Sequence, residues 1–226
     1  MNPSVVVSGG TGGLGSAVTR RLLERDWHVV VPYVEERELA RLDPHPQLEL
    51  VAADLFDPAA AAAVVARAGK ELRALVNLVG GFAAGGRVHE TPIEDFERQF
   101  RLNLRPAYLL CHAALPLMLE AGGGAIVCVS TRAALRPFPG AAGYITSKAA
   151  VLAFVDALSV EYTAEGIRSN VILPSVIDTP SNRASQPDAD HSRWVSPEQI
   201  ADVIDFLVSP ASVAISGAHI PVYGRA

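Results

Sequence analysis

Tyr144 and Lys148 stand four residues apart in YITSK, so a helix carries them on one face, one turn apart. A free tyrosine has a pKa of about 10, too high for efficient proton transfer near neutrality. A neighbouring ammonium stabilises the phenolate and lowers that value. The pair could therefore exchange a proton with a substrate oxygen. Of the nineteen Lys and Arg residues, only Lys70 and Lys148 are lysine. In a chain that uses Arg for nearly every cation, a lysine here points to a need for a compact ammonium. Thr131 completes the constellation with a hydroxyl.

A second group could hold a nucleotide. Ser8-Gly9-Gly10-Thr11-Gly12-Gly13-Leu14-Gly15 follows a β-branched run and opens a helical stretch. Glycines there permit a sharp turn and let N–H groups approach a pyrophosphate at the helix N-terminus. Asp54 ends a strand-like run, where its carboxylate can accept from an adenine amino group or close a turn. Asn77 and Gly80-Gly81 follow another run, where glycine lets a cofactor lie against the backbone.

These residues need elements to position them. Short apolar runs at Ser4–Ser8, His28–Tyr33, Leu48–Ala52, Ala74–Val79, Ala125–Ser130, Ser169–Leu173 and Ala218–Val222 alternate with helical stretches. Runs without polar alternation mark strands covered on both faces. The pattern predicts a doubly wound parallel α/β sheet, with ligands beyond the carboxyl ends of its strands. Asp57-Pro58, Thr91-Pro92-Ile93-Glu94 and Ser196-Pro197-Glu198-Gln199 carry helix-start signals. The 226 residues fit one domain, 1–226, and half of them are apolar. A net charge of -5 argues against nucleic acid or an anionic membrane as partner. The scattered histidines and two cysteines offer no metal-ligand spacing, and Cys111 and Cys128 read as buried thiols of a reducing cytosol. Neither a signal peptide nor a membrane span is evident, so a cytoplasmic location is expected. The stretches 107–119 and 149–162 are apolar nearly all round, which predicts a homodimer or homotetramer packed through them.

With these motifs in this order, the chain resembles the short-chain dehydrogenase/reductases from end to end. The matching residues are Gly9, Gly13 and Gly15, Asp54, Asn77 to Gly80, Asn103, Ser130-Thr131, Tyr144 with Lys148, and Pro174 with Thr179. The resemblance implies a Rossmann fold with strand order 3-2-1-4-5-6-7 and a nicotinamide cofactor. Tyr144 would be the general acid/base, Lys148 its partner and ribose ligand, and Asn103 the anchor of a relay water in a kinked helix. Pro106 cannot donate to the Leu102 carbonyl, which makes such a kink reasonable. Cofactor contacts are expected from Ser8, Gly9, Gly13, Leu14 and Gly15, from Tyr33, Asp54 and Leu55, and from Asn77 and Gly80. Pro174, Ile177 and Thr179 complete them, together with Tyr144 and Lys148.

Thr131 stands where the family has Ser, and its hydroxyl can donate to a substrate carbonyl. Ser130 is the backup, though strand alternation turns it the other way. Ser175 replaces a family glycine. Tyr33 and Val34 decide neither for NAD(H) nor for NADP(H). Glu35 and Glu36 would repel a 2′-phosphate and Arg37 could offset them, so the balance leans to NAD(H). Residues 173–194 resemble the corresponding stretch of dihydropteridine reductases, and a short substrate lid is expected over 175–196. The sequence thus predicts hydride transfer between nicotinamide and a small carbonyl or alcohol. The alternatives are reduction of a quinonoid pterin and a non-catalytic nucleotide-binding sensor.

Overall fold

The computed structural model describes residues 2–225. Strand β1 (Ser4–Ser8) leads through the glycine turn into helix α1 (Gly15–Leu23). Strands β2 (His28–Tyr33) and β3 (Leu48–Ala52) follow, then α2 (Pro58–Arg67). Next come β4 (Leu72–Asn77), α3 (Ile93–Asn103), α4 (Arg105–Glu120) and β5 (Gly124–Val129). The chain continues through α5 (Ala142–Tyr162), β6 (Ile167–Pro174), α6 (Pro180–Ser185), α7 (Pro197–Val208) and β7 (His219–Val222). The seven strands pair in parallel in the order β3-β2-β1-β4-β5-β6-β7, the predicted arrangement.

Successive strand residues feed opposite faces, as the pleat requires. Val5, Val7, Val29, Val31 and Val127 pack with Ala17, Leu22, Ile200 and Ile204 of α1 and α7. Val6, Val30, Leu75 and Ile126 pack with Val64, Leu110 and Val155 of α2, α4 and α5. Both faces are covered, which is why the strands read as unbroken apolar runs.

β1, β2 and β3 have the expected bounds, whereas β4, β5, β6 and β7 differ by one or two residues. β4 ends at Asn77 because its neighbour β1 ends opposite at Ser8 and turns away, leaving residues 78–79 no parallel partner. β6 begins two residues early, at Ile167 and Arg168. Arg168 looks like surface in the sequence but is buried. Its guanidinium donates to the Leu207, Ser209 and Ile215 carbonyls, closing the end of α7.

Helix starts divide likewise. Asp57 accepts from the Ala59 N–H and Ser196 forms the reciprocal capping box with Gln199. Thr91 does not cap α3. Its hydroxyl donates to the Gly86 and Arg87 carbonyls, and Pro92 occupies the cap position. The kink expected after Asn103 is a full break at Leu104 between α3 and α4. Helix α5, with the turn after it, is long and apolar enough to cross a bilayer by length and composition. Its buried side, including Val151, Leu152, Val155 and Leu158, packs into the core.

Candidate active site

Because all seven strands run in parallel, the segments leaving β1, β4, β5 and β6 emerge on one edge of the sheet. Each brings one part of the site.

After β1, the glycine turn closes on itself. A Cβ on Gly15 would overlap the Gly9 carbonyl oxygen, so only glycine permits this approach. Leu14 at the N-cap makes no side-chain bond and the first turn of α1 holds no acidic residue. Ser16 and Ala17 N–H already bond the Gly12 and Leu14 carbonyls, whereas the N–H groups of Gly13, Leu14 and Gly15 meet no protein acceptor among the described residues and, with the positive dipole end, are left for an anion. Thr179, after β6, sets its methyl 3.0 Å from where a Gly13 Cβ would stand, so two segments distant in sequence wall the same cradle. Thr179 also N-caps α6, accepting from Asn182 N–H at 3.3 Å. Pro174 ends β6, and Ile177 bridges to Val195 in parallel.

After β4, Gly80 lies between two side chains. A Cβ there would come within 2.6 Å of Asn103 Oδ1 and 2.8 Å of Lys148 Nζ. Asn103 is held on every side. Its Oδ1 accepts from Gly81 N–H at 2.9 Å, and its Nδ2 donates to Gly81 O, Gln99 Oε1 and Ser147 Oγ. Ser147 in turn donates to the Tyr144 carbonyl at 2.8 Å. Ser147 and Gln99 escaped the sequence reading, since neither type signals chemistry alone.

After β5, Thr131 accepts from the Ala133 N–H at 3.2 Å, which leaves its own proton to give. Ser130 faces away from the site. It is buried and donates to the Lys148 carbonyl at 2.8 Å, pinning α5 to the strand, so it is no substitute for Thr131. Ser8 and Asn77 also differ from expectation. Both are buried beneath the surface a ligand could touch. Ser8 Oγ accepts from Leu78 N–H and joins β1 to β4. Asn77 Nδ2 donates to the sulfurs of Cys111 and Cys128, the two buried free cysteines. Asp54 closes a turn, accepting from Phe56 N–H at 2.9 Å, and keeps its other oxygen exposed. Leu55 is in the core, and Tyr33 is half-buried at the end of β2.

The electrostatics depart from the simple pair picture. Lys148 is buried and donates to the Val129 carbonyl at 3.1 Å. Burial lowers its pKa from 10.5 to about 8. Burial also pushes the half-buried Tyr144 phenol up, and the nearby Thr131 hydroxyl offsets part of that rise. Lys148 does not by itself lower the phenol: burial dominates there, and the ammonium donates to the Val129 carbonyl.

One acidic residue was missed. Glu35 and Glu36 are exposed, and Glu35 pairs with Arg37. Glu38 instead reaches the glycine turn. Thr11 Oγ1 donates to Glu38 Oε2 at 2.8 Å, and Arg41 pairs with Oε1 at 2.8 Å while donating to Thr11 O at 2.9 Å. Arg41 beside it, helped by Thr11, holds the Glu38 carboxyl below its usual range.

The family model described as enoyl-(acyl carrier protein) reductase matches residues 9–224. The chain belongs to the short-chain dehydrogenase/reductase family. Among its relatives, 2-(R)-hydroxypropyl-CoM dehydrogenase of Xanthobacter autotrophicus is 33% identical, over 99% of this chain and 98% of its own. The cyclic-di-GMP-binding biofilm dispersal mediator protein of Escherichia coli is 30% identical, over 95% and 93%. A 3-ketoacyl-(acyl-carrier-protein) reductase from Brucella melitensis, complexed with NADH, superposes with a TM-score of 0.87 at 26% identity, covering 99% and 98%. ElxO with NADP bound has a TM-score of 0.91 at 23% identity over 99% and 98%, which speaks for the fold alone. As a short-chain dehydrogenase/reductase, the chain is an oxidoreductase.

The buried Lys148 makes a testable difference to stability. Between pH 8 and 10.5 the unfolded chain keeps the lysine proton and the folded chain sheds it, so stability rises with pH. The full rise attributable to Lys148 is about 3 kcal/mol. Denaturant titrations at pH 7 and pH 9.5 should show about 2 kcal/mol of this gain in the wild type relative to Lys148→Met. Equal pH dependence in the two proteins would contradict a buried, neutral-leaning lysine.

Proposed function

We propose that the chain is an NAD(P)(H)-dependent oxidoreductase that interconverts a small carbonyl compound and its alcohol, with Tyr144 as general acid/base. The observation that carries this reading is Gly80 held between Lys148 Nζ and Asn103 Oδ1, on the same sheet edge as Tyr144, Thr131 and the glycine cradle. The cradle suits a dinucleotide, since a Cβ on Gly15 would close it and the α1 N-terminus offers free N–H groups. When bound, nicotinamide would supply or accept the hydride and, in its oxidised form, add the positive charge that favours the phenolate. Lys148, with one proton given to Val129, keeps two for a ribose hydroxyl. Asn103 and Ser147 orient the Tyr144 turn of α5, and Thr131 gives its proton to the substrate oxygen. In reduction Tyr144 donates its phenolic proton to that oxygen, and in oxidation it takes the proton back.

Thr131 beside Tyr144 favours a carbonyl over a quinonoid ring, because it supplies the donor that a carbonyl oxygen requires. The segment 175–196, with Ile177 tied to Val195, would cover the bound substrate as a lid. The Tyr144→Phe variant separates catalysis from a binding-only sensor. Turnover should fall by about 10²–10⁴, with nucleotide binding by fluorescence retained. Turnover within about tenfold of wild type would overturn the assignment.

For the cofactor we propose NAD(H) over NADP(H). The support is Glu38, an ionised carboxylate fixed at the glycine turn where a 2′-phosphate would meet it. Glu38→Gln should raise the NADPH/NADH ratio of kcat/KM about tenfold, since removing a like charge lifts a repulsion. A wild type that prefers NADPH would contradict the reading.

We also propose a cytoplasmic homodimer or homotetramer joined through α4 and α5, with a small-molecule substrate and neither nucleic acid nor membrane as partner. Tyr108, Leu119 and Val160 are exposed there, and Tyr108 packs 5.9 Å from Phe154 of α5. A groove of about 740 Å³ beside them is lined by Phe100, Leu104, Tyr108 and Phe154 together with Arg101 and Arg105. Light scattering at micromolar concentration should give at least a dimer, and a monomer would contradict the proposal.

A further inference from the structure

Three exposed apolar side chains lie on the two loops that flank Tyr144, outside either core. Phe82 follows Gly80-Gly81 after β4 and is 63% exposed, yet its ring meets Tyr144 edge-on at 5.0 Å and 83°. Phe138 tilts toward Phe82 at 6.4 Å, and it and Leu135 stand exposed on the segment that joins Thr131 to Tyr144. Two loops from neighbouring strands thus bring exposed apolar surface to one spot. Leaving such surface in water is unfavourable, and a ligand that covers it recovers that cost.

Charge sharpens the match. Beside Tyr144 opens a hollow of about 260 Å³ whose walls include Gly85, Gly86 and Gly143. Its titratable groups are Glu90, Asp95 and Arg98. Arg98 pairs with Asp95 at 2.8 Å, and nearby Arg87 pairs with Glu90 at 3.7 Å. The basic residues of the Thr131–Tyr144 segment are Arg132, which covers the Tyr223 ring, and exposed Arg136. Each carboxylate there is thus paired with an arginine, so the hollow offers a substituent aromatic edges and no unpaired charge to hold an ionic tail.

We infer that Phe82, Phe138 and Leu135 form the specificity rim of the site, and that its preferred substrates carry an aryl or similarly flat, uncharged group on the carbonyl carbon. This rests on the carbonyl oxidoreductase reading above. With the carbonyl oxygen at Tyr144 and Thr131, a substituent reaches the Phe82 edge and can stack against it in the offset or edge-on geometry that aromatic pairs favour.

The test compares kcat/KM for acetophenone, 2-butanone and acetoacetate, followed by NAD(P)H absorbance. Wild type should favour acetophenone over 2-butanone by about tenfold or more, as expected for a well-fitted apolar group. Phe82→Ala should abolish most of that preference, and Phe138→Ala should do so in part. Phe206→Ala, which removes an exposed ring on α7, should change neither rate. Thermal melts verify folding, and Phe82→Leu replaces Phe82→Ala if the latter does not fold. A wild type that reduces 2-butanone or acetoacetate as well as acetophenone overturns the rim and leaves carbonyl reduction standing. So does an unchanged preference in the folded Phe82 variant. No turnover of any of the three overturns the carbonyl reading, and the rim with it.

Discussion

The Lys148 ammonium lies out of water with the Val129 carbonyl at 3.1 Å as its protein acceptor. A buried charge with one partner is costly, and here the cost shows as a pKa lowered to about 8. The surrounding structure is arranged to hold the lysine there. Ser130 ties its carbonyl to β5, Asn103 and Ser147 brace the turn of α5 that also carries Tyr144, and glycine at position 80 leaves room for Nζ. Stability given up in this way is common where a site requires a group that the fold alone would exclude.

Parallel strands do the long-range positioning. The glycine turn, Gly80, Thr131 and Thr179 come from four different strand ends, yet meet because those ends share one edge of the sheet. Arg168 and Arg41 serve the same end more remotely, one by closing α7 and the other by fixing Glu38 against Thr11. The rim of Phe82 and Phe138 lies outside that bracing, exposed on the loops after β4 and β5.

Much of this was legible in the residues. Apolar runs reveal buried strands because both sheet faces are covered, whereas the strand order comes from the family resemblance. Tyr144, Lys148 and Thr131 are recognisable by type and spacing, Asn103 only through that resemblance, and the structure brings them to one edge. What escaped depends on contacts between distant segments. Ser8, Asn77 and Ser130 sit on strand ends like ligand-facing residues, but the pleat turns their side chains inward. Glu38 hides in a run of acidic neighbours, and only the turn after β2 shows which one reaches Thr11. Thr91 has capping spacing but finds nearer carbonyls. The depressed lysine and raised phenol reflect burial, which local spacing does not encode.

In the proposed mechanism the Tyr144–Lys148 pair is incomplete until a positively charged nicotinamide joins it. Ultraviolet difference titration of wild type against Tyr144→Phe, with and without NAD⁺, isolates the Tyr144 phenol. The phenol should titrate above the ordinary tyrosine value in the free protein and fall below it with NAD⁺ bound. A phenol already below the ordinary value without nucleotide, or unmoved by NAD⁺, would contradict it.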